Sequence, residues 1–509
     1  MGRIGLKAIA TALGISTALV ALPGAALADK SDDTLRIAFS KEVESVDRYF
    51  NTAREGVIMG ESIWDSLVYR DPESGEYLGN LATSWTWVDD LTLEFKLREG
   101  VTFHNGEEFD ADDVVYTVNF VVDPANGVIN TAHTSWMKSA EKVDKFTVRL
   151  NLKSPFPAAL EYLSGPVVIY PNEYYAEVGP QGMGAKPVGT GPYMVESVSS
   201  GSEVVLKRNE NYFDGPKNTA KIDKVVIRFI PDVNTQLAEM FSDSLDFLWQ
   251  VPADQAEQVK AQGRFDVVNE QSMRIAFLAL DAEGRSSPDV PTKNLKVRQA
   301  LNYAINREAL LSALLKGAST RIDSACVKVQ FGCEQDVTGY DYDPEKAKAL
   351  LAEAGYPNGF SIDFYAYRDR NYAEAMLGML QEVGITANLE YINYAPLREK
   401  RIKDGVPIAF LTDAFNSIAD VSSVTSRYFA GGGDDGARDP QVMELVTAGD
   451  TVTDPEERKK LYSQAFKRIA DEAYWVPLFT YNTNYVLSQE LAFTPTLDEN
   501  IRFYQMSWK

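Results

Sequence analysis

Histidine and cysteine are scarce in this chain. Its 509 residues include two histidines, His104 and His133, and two cysteines, Cys326 and Cys333. So few soft ligands argue against a multi-histidine zinc centre and leave little material for a histidine-based catalytic triad. Positive charge is also short: 50 basic residues face 73 acidic ones, for a formal net charge of −23. A surface of that sign repels phosphate backbones, so no nucleic-acid partner is expected. Beyond the first thirty residues, no apolar run is long enough to span a bilayer. The G-x-S-x-G elbow, the G-x-x-x-x-G-K-[ST] loop, H-E-x-x-H and the EF-hand loop are all missing. The stretch GGGDDG, residues 431–436, fits G-x-G-x-x-G by spacing. Asp434 and Asp435 would repel a pyrophosphate there, and no clear strand precedes it, so it reads as a loop. Carboxylate pairs such as Glu42 with Glu44 arise by chance in so acidic a chain and are weak evidence for a glycosidase dyad. No enzymatic activity, no cofactor and no metal site is expected.

The N-terminus is the one strongly apolar region. Arg3 and Lys7 precede an apolar run from Ala8 to Leu22, Pro23 and Gly24 break it, and Ala26-Leu27-Ala28 places small residues where a signal peptidase reads. This is the pattern of a cleavable secretory signal over residues 1–28, and the run falls short of the roughly 20 residues of a membrane span. No cysteine follows the cleavage point to carry a lipid. Export to an oxidising compartment makes a disulfide between Cys326 and Cys333 the expected state, closing the loop CVKVQFGC. The spacing is not C-x-x-C, so a redox or metal pair is the lesser reading.

The rest of the chain, 45% hydrophobic and 24% charged, has the balance of a folded globular protein. Leu35–Phe39, the alternating Leu91, Leu93, Phe95 and Leu97, the alternating Phe146, Val148, Leu150 and Leu152, Val204–Leu206 and Val225–Ile227 predict strands. Asp110, Asp343-Pro344 and Asp454-Pro455 predict capped helix starts, and Val297, Ala300, Leu301, Ala304 and Ile305 form a helical stripe. Residues 180–192, rich in Gly and Pro, predict a connection. Strands alternating with capped helices indicate a mixed α/β architecture. His104, in the polar turn FHNG, is expected to be a hydrogen-bonded structural residue.

Four segments, in order, resemble extracytoplasmic solute-binding protein family 5, the peptide- and nickel-binding family of ATP-binding-cassette importers. They are LGNLATSWTWVDDLTLEFKLREGVTFHNGEEFDADDVVYTV (78–118), PVGTGPY (187–193) with LKRNENYFDG (206–215), KVRQALNYAINREAL (296–310) and YDPEKAKALLAEAGYPNG (342–359). The resemblance implies a two-lobed periplasmic-binding-protein fold (type II, cluster C) with an extra domain inserted in the first lobe. Carried over, residues 29–55, 187–276 and 476–509 form the first domain, 56–186 the insertion, and 277–475 the second lobe. The implied function is capture of a small solute, a di- or oligopeptide first among the candidates, between the lobes, for delivery to an inner-membrane permease by a monomeric periplasmic protein. The alternatives are a sugar, opine or metal chelate in the same fold and, remotely, a secreted hydrolase with a carboxylate dyad.

Peptide-binding members carry a W-x-x-D-x-x-D-P-like stretch whose first aspartate takes the peptide's amine. The corresponding stretch, FLTDAFNSIADVSS (410–423), places Ala414 at the tryptophan and Ser417 at that aspartate, with Asp420 on the final one. The departure opens the ligand question, and Asp413 or Asp420 could serve instead. Expected second-lobe contacts are Phe415, Asn416, Ser417 and Asp420. The first lobe would offer Glu42, Val43, Trp249 and Gln250. Tyr365, Tyr367 and Tyr394 are aromatic candidates, and Arg274, ahead of Arg427, could meet a carboxylate.

Overall fold

The computed structural model describes residues 2, 32–43, 45–51, 53–129, 131–315, 319–414 and 417–509. All of the expected signal segment except Gly2 lies outside the described residues, as do Glu44, Phe415 and Asn416. A ten-stranded sheet runs through the molecule. In spatial order its strands are Ile385–Tyr391, Phe360–Ala366, Ile408–Asp413, Phe265–Leu280, Trp475–Ser488, Phe247–Trp249, Thr34–Phe39, Lys224–Phe229, Glu203–Arg208 and Tyr193–Ser199.

The two longest strands, Phe265–Leu280 and Trp475–Ser488, pair antiparallel and occupy the middle of this order. Apolar cores gather at both of their ends. Leu35, Ile37, Phe39 and Phe247 belong to a core that continues into Trp64 and Tyr170. Leu278, Leu301, Phe364 and Phe410 anchor a separate one, and Phe277, Tyr428, Tyr462 and Trp475 a third beside it. Two lobes therefore share one pair of strands. The register of that pair shifts between Gln271 and Ile275. Such an irregularity bends a strand and re-aims its side chains. Here Met273 N–H leaves the ladder for the Leu497 carbonyl (2.7 Å), and Arg274 faces the space between the lobes.

The first lobe carries a second, four-stranded sheet, ordered Ala82–Asp89, Thr92–Leu97, Thr147–Leu152, Met137–Asp144. Leu93, Phe95, Val148 and Leu150 give it one buried face, against which helix Ala111–Val122 lays Val114, Val118 and Val121. Asp110 caps that helix, accepting from Asp112 N–H (2.7 Å), while Asp113 returns to the Asp110 N–H (2.9 Å). Asp343 and Asp454 cap helices Pro344–Glu353 and Pro455–Asp471, accepting from Lys346 N–H (2.9 Å) and Glu457 N–H (2.8 Å). An acceptor at the N-cap followed by proline at the first helical position satisfies the free N–H groups of the first turn. The predicted connection at 180–192 starts later than expected, because helix Asn172–Ala185 runs into it. Gly179, at φ +63°, breaks that helix, and Pro180 opens its second part.

Candidate functional site

A cleft of about 1300 Å³ lies between the lobes. The first lobe supplies Lys41, Glu42 and Ala53–Glu55 at the start of helix Arg54–Ile63, and Trp249–Asp254 after strand Phe247–Trp249. The second lobe supplies Ala313–Leu315 and Tyr367–Asp369. The shared strands add Arg274 and Tyr481–Asn484. Of the sequence-predicted residues, the cleft brings together Glu42, Trp249, Gln250, Arg274 and Tyr367.

Trp249 is 6% exposed and meets Phe39 edge-on, with 5.7 Å between centroids. Its indole N–H has no hydrogen-bond partner. Gln250 sits at φ +57°, where the chain turns out of the strand into the cleft wall. The Arg274 guanidinium lies 3.5 Å from Glu499, which also accepts from Thr483 Oγ1 (2.6 Å). Glu42 accepts from Gly201 N–H (2.5 Å) and Ser200 Oγ (3.1 Å), so its carboxylate is turned to the rim. Val43 lies apart, in a separate 610 Å³ groove on the first lobe that Glu42 also borders.

The remaining candidates lie outside the cleft lining. Tyr365 is 9% exposed and packs in the second lobe's core. Tyr394, 40% exposed, meets Tyr367 at 5.0 Å between centroids and accepts from Arg427 Nη2 (3.0 Å). Arg427 also pairs with Asp413 (2.6 Å) and Asp434 (3.2 Å). Asp420 is 5% exposed, and Arg458 holds it at 3.0 and 3.1 Å. Ser422 N–H also donates to it (2.9 Å), so it works inside the second lobe, beneath its surface. Ser417 reaches the seam: it donates to the Asp498 carbonyl (2.9 Å) and accepts from Arg54 Nη1 (2.7 Å).

Sequence reasoning missed most of the charged residues of the cleft, among them the following four. Arg54 keeps its Nε and Nη2 shut away from water with no hydrogen-bond partner. Arg368 is held by Asp369 (2.8 Å) and lies over the Tyr481 ring, 5.3 Å from its centroid. Glu55 is 4% exposed, and burial raises its pKa above the ordinary carboxylate value. Glu499, 3% exposed, is the fourth. None has a local pattern: each acquires its place only when distant segments meet. Among the described residues, no group of three or more His, Cys, Asp or Glu side chains is placed to hold a metal ion, and no helix is long and apolar enough to cross a membrane.

Comparison with known proteins fixes the family. A family model described as bacterial extracellular solute-binding proteins, family 5, matches residues 76–436. The chain belongs to that family. Heme-binding protein A of Haemophilus influenzae is 29% identical over 454 residues, 82% of this chain and 81% of that protein. Glutathione-binding protein GsiB of Escherichia coli (strain K12) is 28% identical over 494 residues, 94% of each chain. Among solved structures, HbpA2 from Haemophilus parasuis superposes with a TM-score of 0.81 at 23% identity, covering 94% of this chain and 100% of its own. The dipeptide-binding protein from Pseudoalteromonas sp. SM9913, in complex with Met-Leu, gives 0.79 at 23%, with the same coverage. These two likenesses show a shared two-lobed α/β fold.

In this family 5 chain the sequence signatures are joints, set back from the cleft. The FHNG and PVGTGPY segments meet: His104 N–H donates to the Gly189 carbonyl (2.8 Å), and its ring receives Gly189 N–H (3.2 Å) and lies 3.0 Å from the Gly191 carbonyl. Burial lowers the His104 pKa to about 4. At Gly189 and Gly191 a Cβ would sit 2.1 Å from the Ile63 carbonyl and 2.4 Å from the Ser62 carbonyl, so only glycine permits the approach. Asp65, fully buried, gathers Lys217 (2.9 Å), Thr190 (2.9 Å), Asn80 (3.1 Å) and Tyr212 (3.3 Å). Cys326 and Cys333 form the expected disulfide.

Proposed function

We propose that this protein is the periplasmic solute-binding component of an ATP-binding-cassette importer, and that it captures a short peptide between its lobes without turnover. Family membership supports the importer role, and a membrane permease is the partner that role requires. The observation that carries the ligand reading is the cleft itself. At about 1300 Å³ it exceeds the roughly 300–1,000 Å³ of clefts that hold drug-sized ligands, and it is walled by charged and aromatic side chains from both lobes. Strand Phe247–Trp249 ends in it, where an extended backbone can be met by main-chain groups. Glutathione, the ligand named for one relative, is itself a short peptide.

The lobes close about the shared strands, and the ligand shifts that equilibrium by its preference for the closed form. We place the first domain at 29–55, 187–276 and 476–509, the inserted domain at 56–186 and the second lobe at 277–475. The bulge near Arg274 supports a crossing there. Residues 1–28 are read as the cleaved export signal. Mass spectrometry of whatever the purified protein releases on denaturation tests the ligand reading. Short peptides are expected; a sugar, an opine or a metal chelate overturns it in favour of that solute.

A further inference from the structure

One end of the cleft is shut by a contact between the lobes. Arg54 opens helix Arg54–Ile63, which buries Ile58, Met59 and Ile63 in the first lobe's core. Ser417 follows strand Ile408–Asp413, whose Phe410 belongs to the second lobe's core. Arg54 Nη1 donates to Ser417 Oγ (2.7 Å), and Ser417 Oγ donates to the Asp498 carbonyl (2.9 Å). Arg54 lines the cleft, whereas Ser417 and Asp498 lie outside its lining. The guanidinium therefore stands between the cleft and Ser417. Because its two halves come from different lobes, this wall is complete only when the lobes meet.

The wall is built from parts that cost stability. Ser417 holds φ +62°, a left-handed conformation uncommon for serine. Arg54 Nε and Nη2 are shut away from water without a hydrogen-bond partner, and buried donors without acceptors destabilise. An apolar side chain at position 54 would fill the space without those unmet donors. Strain of this kind gathers where a local arrangement has a task. The task visible here is to stop the cleft. A group reaching past Arg54 has to push the guanidinium off Ser417 and part the seam. The neighbouring contacts then go too: Ala419 N–H donates to Glu161 of the first lobe (2.7 Å), and Ile418, 2% exposed, packs into the first lobe's core.

Building on the solute-binding reading above, we propose that Arg54 and Ser417 form the end wall of the cleft and set the length of peptide that the protein accepts. A peptide short enough to stop at Arg54 lets the lobes meet and gains the seam contacts. A longer one clashes with the guanidinium and holds those contacts apart, so its preference for the closed form is lost. Discrimination then comes from a built-in clash and needs no attractive contact at this end. Arg54 is the residue the solute meets, and Ser417 is a positioning residue that pins it.

The test is calorimetric titration with a series of peptide mixtures, each of a single length from two to eight residues, on wild type, Arg54→Ala and Ser417→Gly. Each protein is first unfolded to release co-purified solute and then refolded. Wild type is expected to show a fall in affinity of roughly tenfold or more between two successive lengths. Arg54→Ala is expected to move that fall to peptides longer by one residue or more. Ser417→Gly, in which glycine accepts the positive φ and the guanidinium is released, is expected to spread the fall over several lengths. A general loss of stability would lower affinity at every length alike and leave the fall where it is. Far-UV circular dichroism checks folding, and Ser417→Gly carries the test if Arg54→Ala does not fold. A fall that stays at the wild-type length and sharpness in the variant that carries the test, or a wild-type affinity that does not fall with length, overturns the inference while leaving peptide binding standing. A wild type that binds no peptide of any length overturns both.

Discussion

Two arginines lie close to either end of the short segment Ser417–Asp420, and they are held in opposite ways. Arg458, 4% exposed, has every nitrogen engaged: Nε donates to the Gly449 carbonyl (2.9 Å), Nη1 lies 3.0 Å from Asp420, and Nη2 donates to Asp420 and Tyr462 (3.1 Å each). Arg54 engages one nitrogen and leaves two. The same side-chain chemistry thus does two jobs, and the difference lies in how completely the protein satisfies it. A saturated buried ion pair fixes the fold around it. A guanidinium left partly unsatisfied carries buried donors without acceptors, which costs stability.

The sharpest way to break this contrast is to remove one partner of the saturated pair. Asp420→Ala leaves Arg458 buried without its counter-charge and is expected to lose about 3–5 kcal/mol of stability. Asp420→Asn should lose less. In both, solute affinity per folded molecule should stay at the wild-type value. Denaturant unfolding paired with calorimetric titration reads the two quantities separately. Loss of affinity in a fully folded Asp420→Asn protein would put that carboxylate in the cleft and erase the distinction.

A smaller effect is expected from the disulfide. Its loop leans on the Asp420 end of the segment: Gln330 Nε2 donates to the Ile418 carbonyl (3.1 Å), Phe331 N–H to the Ala419 carbonyl (2.8 Å), and Val421 N–H to the Phe331 carbonyl (3.1 Å). Closing an eight-residue loop stabilises by about 2.5 kcal/mol in the chain-entropy model. Replacing Cys326 and Cys333 by serine should cost about that much, with amide exchange rising at 418–421 before it rises at Arg54. Uniform exchange along the seam would mean that the loop supports both ends alike.

The contrast between these regions also marks what the sequence reveals. Helix caps at Asp110, Asp343 and Asp454, the alternating strands and the disulfide are local or nearly so, and each is legible in a short window. The family signatures were legible as well, yet His104, Gly189 and Gly191 turn out to hold two segments together and do not line the cleft. Cleft residues were only partly readable. Trp249 and Arg274 stand out by type, but the sequence shows no sign of the strand irregularity that aims Arg274. Arg54 sits in an unremarkable stretch and gains its character from Ser417, 363 residues away. Asp420 stands out in the sequence as an acid in a motif-like stretch, and only the fold brings Arg458 to it.

The smallest expected effect concerns the protonation of the saturated network. Asp450 accepts from Tyr462 Oη (2.6 Å) and Ser426 Oγ (2.7 Å), and burial raises its pKa from 3.8 to about 6 against those hydrogen bonds. Between those two values the folded protein holds a proton that the unfolded chain has released. Stability therefore falls as pH rises from about 4 to about 6 and levels off above that, with a slope of at most about 1.4 kcal/mol per pH unit from this group. Asp450→Asn removes the titration and should flatten that part of the curve, leaving the variant slightly more stable than wild type at pH 7. Solute binding should be indifferent to the change. Thermal unfolding from pH 4 to 7 for both proteins measures it, and an unchanged slope in Asp450→Asn would assign the pH response to another of the raised carboxyls, with Asp47 at about 6 and Asp113 at about 7 the next to replace.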